Sequence, residues 1–134
     1  MQPPLGARFG GLMLVIIVTL PWPDKRLMPN AKRRSHWSAY RGAIRDARTT
    51  AFALTRSAMG RLRFAAPPAM VVSFTPPDAR RRDDDGMIGA FKHGRDGIAD
   101  ALGIDDRHLR PTYSFDAPAR PGRIIVTLTG EVAT

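Results

Sequence analysis

The apolar run Leu12–Leu20 constrains the fold of this chain more than any other feature. It carries no charge and is rich in β-branched residues, which favours an extended strand. A membrane-spanning helix needs about 20 apolar residues, so the run is too short for one. No cleavage pattern of small residues follows it, as a signal peptide would require. Proline cannot continue a sheet ladder, so we predict a buried strand that ends at Pro21-Trp22-Pro23.

Helical and strand patterns alternate along the rest of the chain. We predict helices over His36–Gly60 and Met87–Leu102, the second closed by Gly103. The apolar stripe of the first helix is predicted to comprise Trp37, Tyr40, Ile44, Ala47, Ala51, Leu54 and Ala58. Further strands are predicted at Ala69–Thr75, Thr112–Phe115 and Arg123–Thr129, and the last two could pair. This order predicts an α+β fold, a small mixed sheet packed against two helices. Residues 1–11 are expected to form a flexible leader, and residues 12–134 one domain.

Composition narrows the class of function. The chain has 134 residues and no cysteine, which excludes disulfides and thiolate metal sites and suits a reducing cytoplasm. Its net charge of +9 favours a polyanionic partner, because neutralising phosphates releases condensed counterions. A basic protein without a nucleic-acid partner remains an alternative, since charge alone says nothing about chemistry.

The segment Arg80–Asp85 is the most informative stretch for chemistry, with three arginines followed by three aspartates. Adjacent carboxylates repel one another unless a helix N-terminus or a cation compensates. Mg²⁺ prefers oxygen ligands and needs only one or two carboxylates besides water and phosphate. In an extended segment Asp83 and Asp85 would point to the same side, which makes them the better ligand pair. An acidic helix cap offset by the arginines is an equally simple explanation.

Two further positions could join such a site. Asp106 follows the second helix. Lys92 lies seven residues after Asp85, so Lys92 and Asp85 would lie on nearly the same helix face. A lysine there could stabilise charge on a cleaved phosphodiester. An exposed turn for Asp106 and a solvent-facing role for Lys92 are the plain alternatives. The three histidines show no metal-ligand spacing.

Several motifs, in this order and spacing, resemble the RusA family of Holliday junction resolvases, which prophages often encode. The resemblance extends from about Leu14 to the C-terminus, nearly the whole chain. The matching segments are Leu20-Pro-Trp-Pro23, Pro29-Asn30 with His36-Trp37, Arg81-Arg-Asp-Asp-Asp85, and residues 96–106.

The resemblance implies a Mg²⁺-dependent (or Mn²⁺-dependent) endodeoxyribonuclease of DNA recombination and repair, a homodimer that nicks opposing strands of a four-way junction. It implies metal ligation by Asp83, Asp85 and Asp106, with Lys92 as the essential lysine. The basic residues expected to grip phosphates are Lys32, Arg33, Arg34, Arg80, Arg81 and Arg82. No membrane partner is expected.

Two departures from the family pattern leave a non-catalytic junction-binding protein as the alternative. Gly86 stands where the family usually has asparagine, and the family lysine falls at Gly89 instead of Lys92. A small structural or regulatory phage protein is a third possibility.

A helix from Asp85 to Leu102 would span about 25 Å. We therefore expect Asp106 to reach Asp85 only from an antiparallel second subunit.

Overall fold

A computed structural model describes residues 11–28 and 37–134. Residues 1–10 of the expected leader lie outside the described residues. The same holds for Lys32, Arg33 and Arg34, whose expected contacts with phosphate therefore stay predictions.

The fold is α+β, with two helices packed on one face of a four-stranded mixed sheet. The strands are β1 (Met13–Pro21), β2 (Ala69–Thr75), β3 (Pro111–Phe115) and β4 (Arg123–Glu131), and the helices are α1 (Trp37–Met59) and α2 (Asp84–Leu102). The sheet order is β1-β4-β2-β3. β4 is antiparallel to both of its neighbours, whereas β2 and β3 are parallel. The carboxyl ends of β1, β2 and β3 consequently meet at one edge of the sheet.

The core forms between the helices and the inward side chains of the sheet. Phe74 is fully buried at its centre and makes edge contacts with Phe91 of α2 and with Trp22. The sequence predicts Met87, Phe91, Ile98 and Leu102 on the buried side of this helix; the first three are buried and Leu102 is partly buried. The aromatic contact with Phe74 fixes Trp22 just beyond the end of β1, at the sheet edge where the candidate site lies.

The predicted apolar stripe of α1 is correct in part, since Ala51 is buried and Tyr40, Ile44 and Ala47 are partly buried against the core. Trp37 and Leu54 are 67% and 38% exposed, and the fully buried residues of α1 are Ala43, Ala51, Thr55 and Met59. The two helices pack closely, since a Cβ at Gly97 of α2 would collide with the backbone carbonyl of Arg48. Small side chains therefore face α2, and the larger ones are left on the flanks of α1.

Two other sequence predictions need correction. β3 pairs in parallel with β2 and does not pair with β4, which lies on the other side of β2. α2 begins at Asp84, three residues before the predicted Met87, because the aspartates occupy its first turn. Its end at Gly103 is confirmed, with this glycine in the left-handed conformation.

None of the helices in the described part of the chain has the length and apolar character needed to cross a membrane.

Candidate functional site

A wide groove lies at the carboxyl ends of β1 and β2. One wall is formed by Trp22, Pro23 and Lys25, and the other by the segment that connects β2 to α2 together with the first turn of α2. Its volume is about 1420 Å³. Pockets for one small molecule are typically about 300–1,000 Å³, so an open groove of this size suits an extended ligand better.

Three exposed carboxylates line this groove. Asp83 is the N-cap of α2, and Asp84 and Asp85 are its first two residues. Asp83 makes no capping hydrogen bond through its side chain, and no ion pair joins any of the three to another described residue. The amino end of the helix dipole stabilises the negative charges. Their oxygens therefore face the groove without a protein partner among the described residues.

The geometry of the acidic run differs from the extended segment that the sequence reasoning assumed. Asp83 has extended backbone angles, but Asp84 and Asp85 are helical. The alternation that places residues i and i+2 on one side holds only for strands. Nothing in the backbone therefore sets Asp84 apart from Asp83 and Asp85, and all three line the groove.

Arg82 holds the connecting segment in place. Its guanidinium donates hydrogen bonds to the backbone oxygens of Asp78 and Arg80, each at 3.0 Å, and to the Asp78 carboxylate at 2.9 Å. It also lies over the Trp22 ring at 5.5 Å, and only 16% of its side chain is exposed. The N–H of Arg80 and the side chain of Arg82, bonded to the same carboxylate, lower the pKa of Asp78. Arg82 thus ties the two walls of the groove together.

Arg80 and Arg81 differ from Arg82 in their exposure. The side chain of Arg80 is 78% exposed and reaches the Asp78 carboxylate only at 3.9 Å. Arg81 is exposed on the same segment and lines the groove with Asp83. These two side chains, with Lys25 opposite, can therefore meet an anionic ligand at little cost in existing contacts.

Asp106 lies at the far end of α2, in a short 3-10 turn. Its carboxylate is 3.5 Å from a guanidinium nitrogen of Arg95. α2 extends about 25 Å from Asp85 to Leu102 at 1.5 Å per residue. The contact with Arg95 places Asp106 beside the second half of this helix, and Asp106 does not line the groove. The described residues contain no group of three or more acidic, histidine or cysteine side chains that could hold a metal ion. Within the described chain, Asp83 and Asp85 line one groove and Asp106 does not, and neither Asp83–Asp85 nor a set that includes Asp106 forms such a group.

Lys92 is 62% exposed and lies 3.8 Å from Asp96, one turn further along α2. Seven residues separate it from Asp85, which is about 10 Å along one face of the helix. Its ammonium group lies near Asp96, on the side away from Asp85, and Lys92 does not line the groove.

Sequence reasoning assigned no role to Lys25 or Asp78, although both line the groove. Pro21-Trp22-Pro23 was a usable signal for the first wall, because a strand that ends in prolines leads directly into it. No local pattern indicates that Trp22 and Arg82 are in contact.

Comparisons with known proteins show that this chain is related in sequence to another protein. No family model matches the chain. The crystal structure of a thiamine-monophosphate kinase from Stenotrophomonas maltophilia K279a overlaps 96% of this chain and 34% of its own, with 21% identity and a TM-score of 0.43. This chain thus spans about a third of that structure, and so weak an overlap supports no argument about fold or function.

A protein of Xylella fastidiosa (strain Temecula1 / ATCC 700964), described as an uncharacterized protein, is 39% identical over 134 residues. The match covers 96% of this chain and 86% of that protein. The chain therefore belongs to the family of this Xylella protein.

Proposed function

We propose that the protein is a metal-dependent endodeoxyribonuclease that nicks four-way (Holliday) junction DNA by hydrolysing phosphodiesters, as a RusA-like resolvase. The observation that carries the proposal is the groove, in which three carboxylates without described ion-pair partners lie beside exposed arginines. Anionic and cationic groups side by side match what a metal-assisted attack on DNA needs. The carboxylates would hold a divalent cation, and the arginines would hold the phosphates.

The donor set suits a hard cation such as Mg²⁺ or Mn²⁺. Asp83 and Asp85 offer carboxylate oxygens only, in a groove open enough for water and phosphate to complete the coordination. When bound, the ion would polarise the scissile phosphate and lower the pKa of a coordinated water. The protein's own role is to hold the carboxylates at the start of α2 and to keep the neighbouring arginines from forming ion pairs with them.

The basic side chains position the DNA. Arg80 and Arg81 contact backbone phosphates on one wall, and Lys25 does so from the other. Contacts of this kind fix the register of the duplex arms without reading base sequence. Lys92, on the same helix face as Asp85, offsets negative charge that develops on the phosphate during cleavage.

The proposal includes a homodimer, because Asp106 cannot reach the groove of its own chain. A second copy whose α2 lies antiparallel to the first would place its Asp106 near Asp85. A two-fold arrangement repeats the contact, so each subunit completes the site of the other. It also gives two grooves, as symmetric nicking of a four-way junction requires.

Incubation with an end-labelled four-way junction in Mg²⁺ tests the proposal. We expect paired, symmetric nicks that disappear in EDTA, and far less cutting of a linear duplex with the same arm sequence. Binding of the junction without any nick in Mg²⁺ or Mn²⁺ would contradict the enzyme and leave the binding protein. Absence of salt-dependent binding would contradict both.

The second candidate is a non-catalytic junction-binding protein. Gly86 favours it, because this position of α2 lines the groove beside Asp85 and has no side chain to hydrogen-bond a coordinated water. Gly86→Asn separates the two candidates. If the glycine limits an existing enzyme, the amide raises the nicking rate several-fold without changing junction affinity in EDTA.

A further inference from the structure

The sheet has a second face that the described chain leaves uncovered except at one end, where Thr75 is buried and bonds to Asp116. Helices α1 and α2 pack on the face that carries Val18, Val72 and Val126. Alternate residues of the same strands point the opposite way. Val15, Ile17 and Val71 on that side are 57%, 60% and 45% exposed. We refer to this side as the open sheet face.

The open sheet face is uncharged over two rows that cross all four strands and over a third row that crosses three of them. Its residues come from positions 15–19, 69–73, 112–114 and 125–129, and each is aliphatic or carries a hydroxyl. Charged side chains occur at the margins, with Glu131 and Arg110 at one end and Arg123 and Asp116 at the other. A quarter of the chain is charged, so three neighbouring rows without charge are a local exception.

The hydroxyl groups on this face are partly satisfied by one another. The Ser73 and Ser114 hydroxyl oxygens are 2.8 Å apart across β2 and β3, and Ser73 also donates to the Asp116 carboxylate at 2.9 Å. Burying a polar group costs free energy mainly when it loses its hydrogen bonds. These serines can therefore be covered by another surface at low cost.

We propose that the open sheet face is an interface at which a second copy of this chain packs, sheet against sheet. Stacked sheets lie about 10 Å apart with their inner side chains interdigitated. Ile17, Val71 and Ile125 are the apolar side chains of the two rows nearest the centre of the face. The helices of both copies then lie on the outside of a four-layer assembly.

Charge selects a second copy as the occupant. A nucleic acid needs cationic side chains, and the three rows contain none. Two copies of a chain with net charge +9 repel each other over most surfaces, but an uncharged face lets them approach. A two-fold axis places equivalent surfaces in contact, and a neutral flat face is complementary to itself.

The size of the face is sufficient for such a contact. Four strands about 4.8 Å apart, over six residues of about 3.3 Å each, give roughly 400 Å² of flat area per copy. Side-chain relief and the margins raise the total for two copies to the order of 1,000 Å². This is the lower range for specific protein interfaces.

This interface goes beyond the proposed nuclease function and does not depend on it. The open sheet face and α2 lie on opposite sides of the subunit. A copy on the sheet therefore leaves α2 accessible to the antiparallel copy that would complete the metal site. Oligomer mass and nicking are separate measurements, so failure of one proposal is distinguishable from failure of the other.

Sedimentation velocity of the full chain over a concentration series tests the interface. We expect a reversible assembly whose mass is halved in Ile17→Lys at equal concentration, with the dissociation constant raised at least ten-fold. Ala53→Lys is the matched control, since it adds the same charge to an exposed position of α1. It should leave the mass unchanged. Circular dichroism checks that both variants fold.

Crosslinking provides a second readout that does not rely on weakening the contact. The chain has no cysteine, so Thr127→Cys on the open sheet face supplies one thiol per copy. A short bis-maleimide should join two copies of this variant and leave Ala53→Cys uncrosslinked. The proposal is overturned if the wild type is monomeric throughout, if Ile17→Lys and Ala53→Lys assemble alike, or if Thr127→Cys does not crosslink.

Discussion

The aspartates at the two ends of α2 differ in whether they form ion pairs. At the amino end, three aspartates face an open groove, and no ion pair joins them to the described residues. Towards and beyond the carboxyl end, every aspartate has a basic neighbour. The ion-pair distances there are 3.8 Å for Lys92–Asp96, 2.6 Å for Arg48–Asp100, 3.6 Å for Arg107–Asp105 and 3.5 Å for Arg95–Asp106.

The helix dipole accounts for much of this difference. Negative charge is stabilised at the amino end of a helix and destabilised at the carboxyl end, where cations are favoured. Carboxylates at the carboxyl end therefore need arginine or lysine nearby. Carboxylates at the amino end can stay unpaired and available to an external cation. The same residue type is thus paired at one end and unpaired among the described residues at the other.

Asp85→Asn should produce the largest effect on this comparison. We expect nicking of a four-way junction to fall on the order of 100-fold or more, since even groups that only orient a metal ligand are worth about 10- to 100-fold. Junction affinity measured in EDTA should be retained. Asp100→Asn, at the paired end, is the matched control and should cut at the wild-type rate. Equal rates for both variants would remove the distinction between the two ends.

Arg82→Ala should give the next largest effect, on stability. The variant loses three hydrogen bonds and the contact with Trp22, and we expect unfolding to become easier by about 1–3 kcal/mol. Chemical denaturation measures this directly. Arg81→Ala, one residue earlier and exposed, should leave the denaturation midpoint unchanged.

Arg81→Ala should instead weaken DNA binding. Each phosphate contact that is lost lowers the slope of log affinity against log salt by about 0.9. We expect a few-fold loss of junction affinity at moderate salt and a reduction of the slope by about one. Fluorescence anisotropy over a salt series measures both. A slope equal to that of the wild type would show that Arg81 does not contact phosphate.

Arg48→Ala should have the smallest effect. Its ion pair with Asp100 is largely exposed, and pairs of this kind contribute roughly 0–1 kcal/mol. The hydrogen bonds from Arg48 lower the pKa of Asp100, so the pair stabilises the fold above the ordinary carboxyl pKa. This contribution disappears as pH falls through the lowered value. Carbon NMR titration should show the pKa of Asp100 rising towards 3.8 in the variant. An unchanged pKa would contradict the pairing.

The sequence predicts those parts of the fold whose signals are local. β2 is predicted to the residue, because Pro67-Pro68 and Pro76-Pro77 flank it. The pairing of β3 is not predictable in this way, since the choice between β2 and β4 as its neighbour depends on the path of the whole chain. The buried face of α1 was predicted only in part, because Trp37 and Leu54 carry a strong hydrophobic signal but are exposed, whereas the buried Thr55 carries little.

The candidate site shows the same division. Asp83, Asp84 and Asp85 stand out as a run in the sequence, although α2 begins at Asp84 and not at the predicted Met87. The contact between Arg82 and Trp22 joins two segments that are distant in the chain, and neither segment signals it. Arg82 was therefore predicted as a phosphate ligand, whereas the structure shows it bonded within the protein.

The position of β4 bears on how the domain assembles during synthesis. β4 is the latest strand in the sequence, yet it lies between β1 and β2, which have no direct pairing with each other. The earlier strands therefore cannot form a continuous sheet until β4 has been made. Such long-range pairing is typical of slow folding. Until β4 forms, β1 has unpaired backbone groups and exposed apolar side chains. The nascent chain is therefore prone to aggregation until β4 has been synthesised.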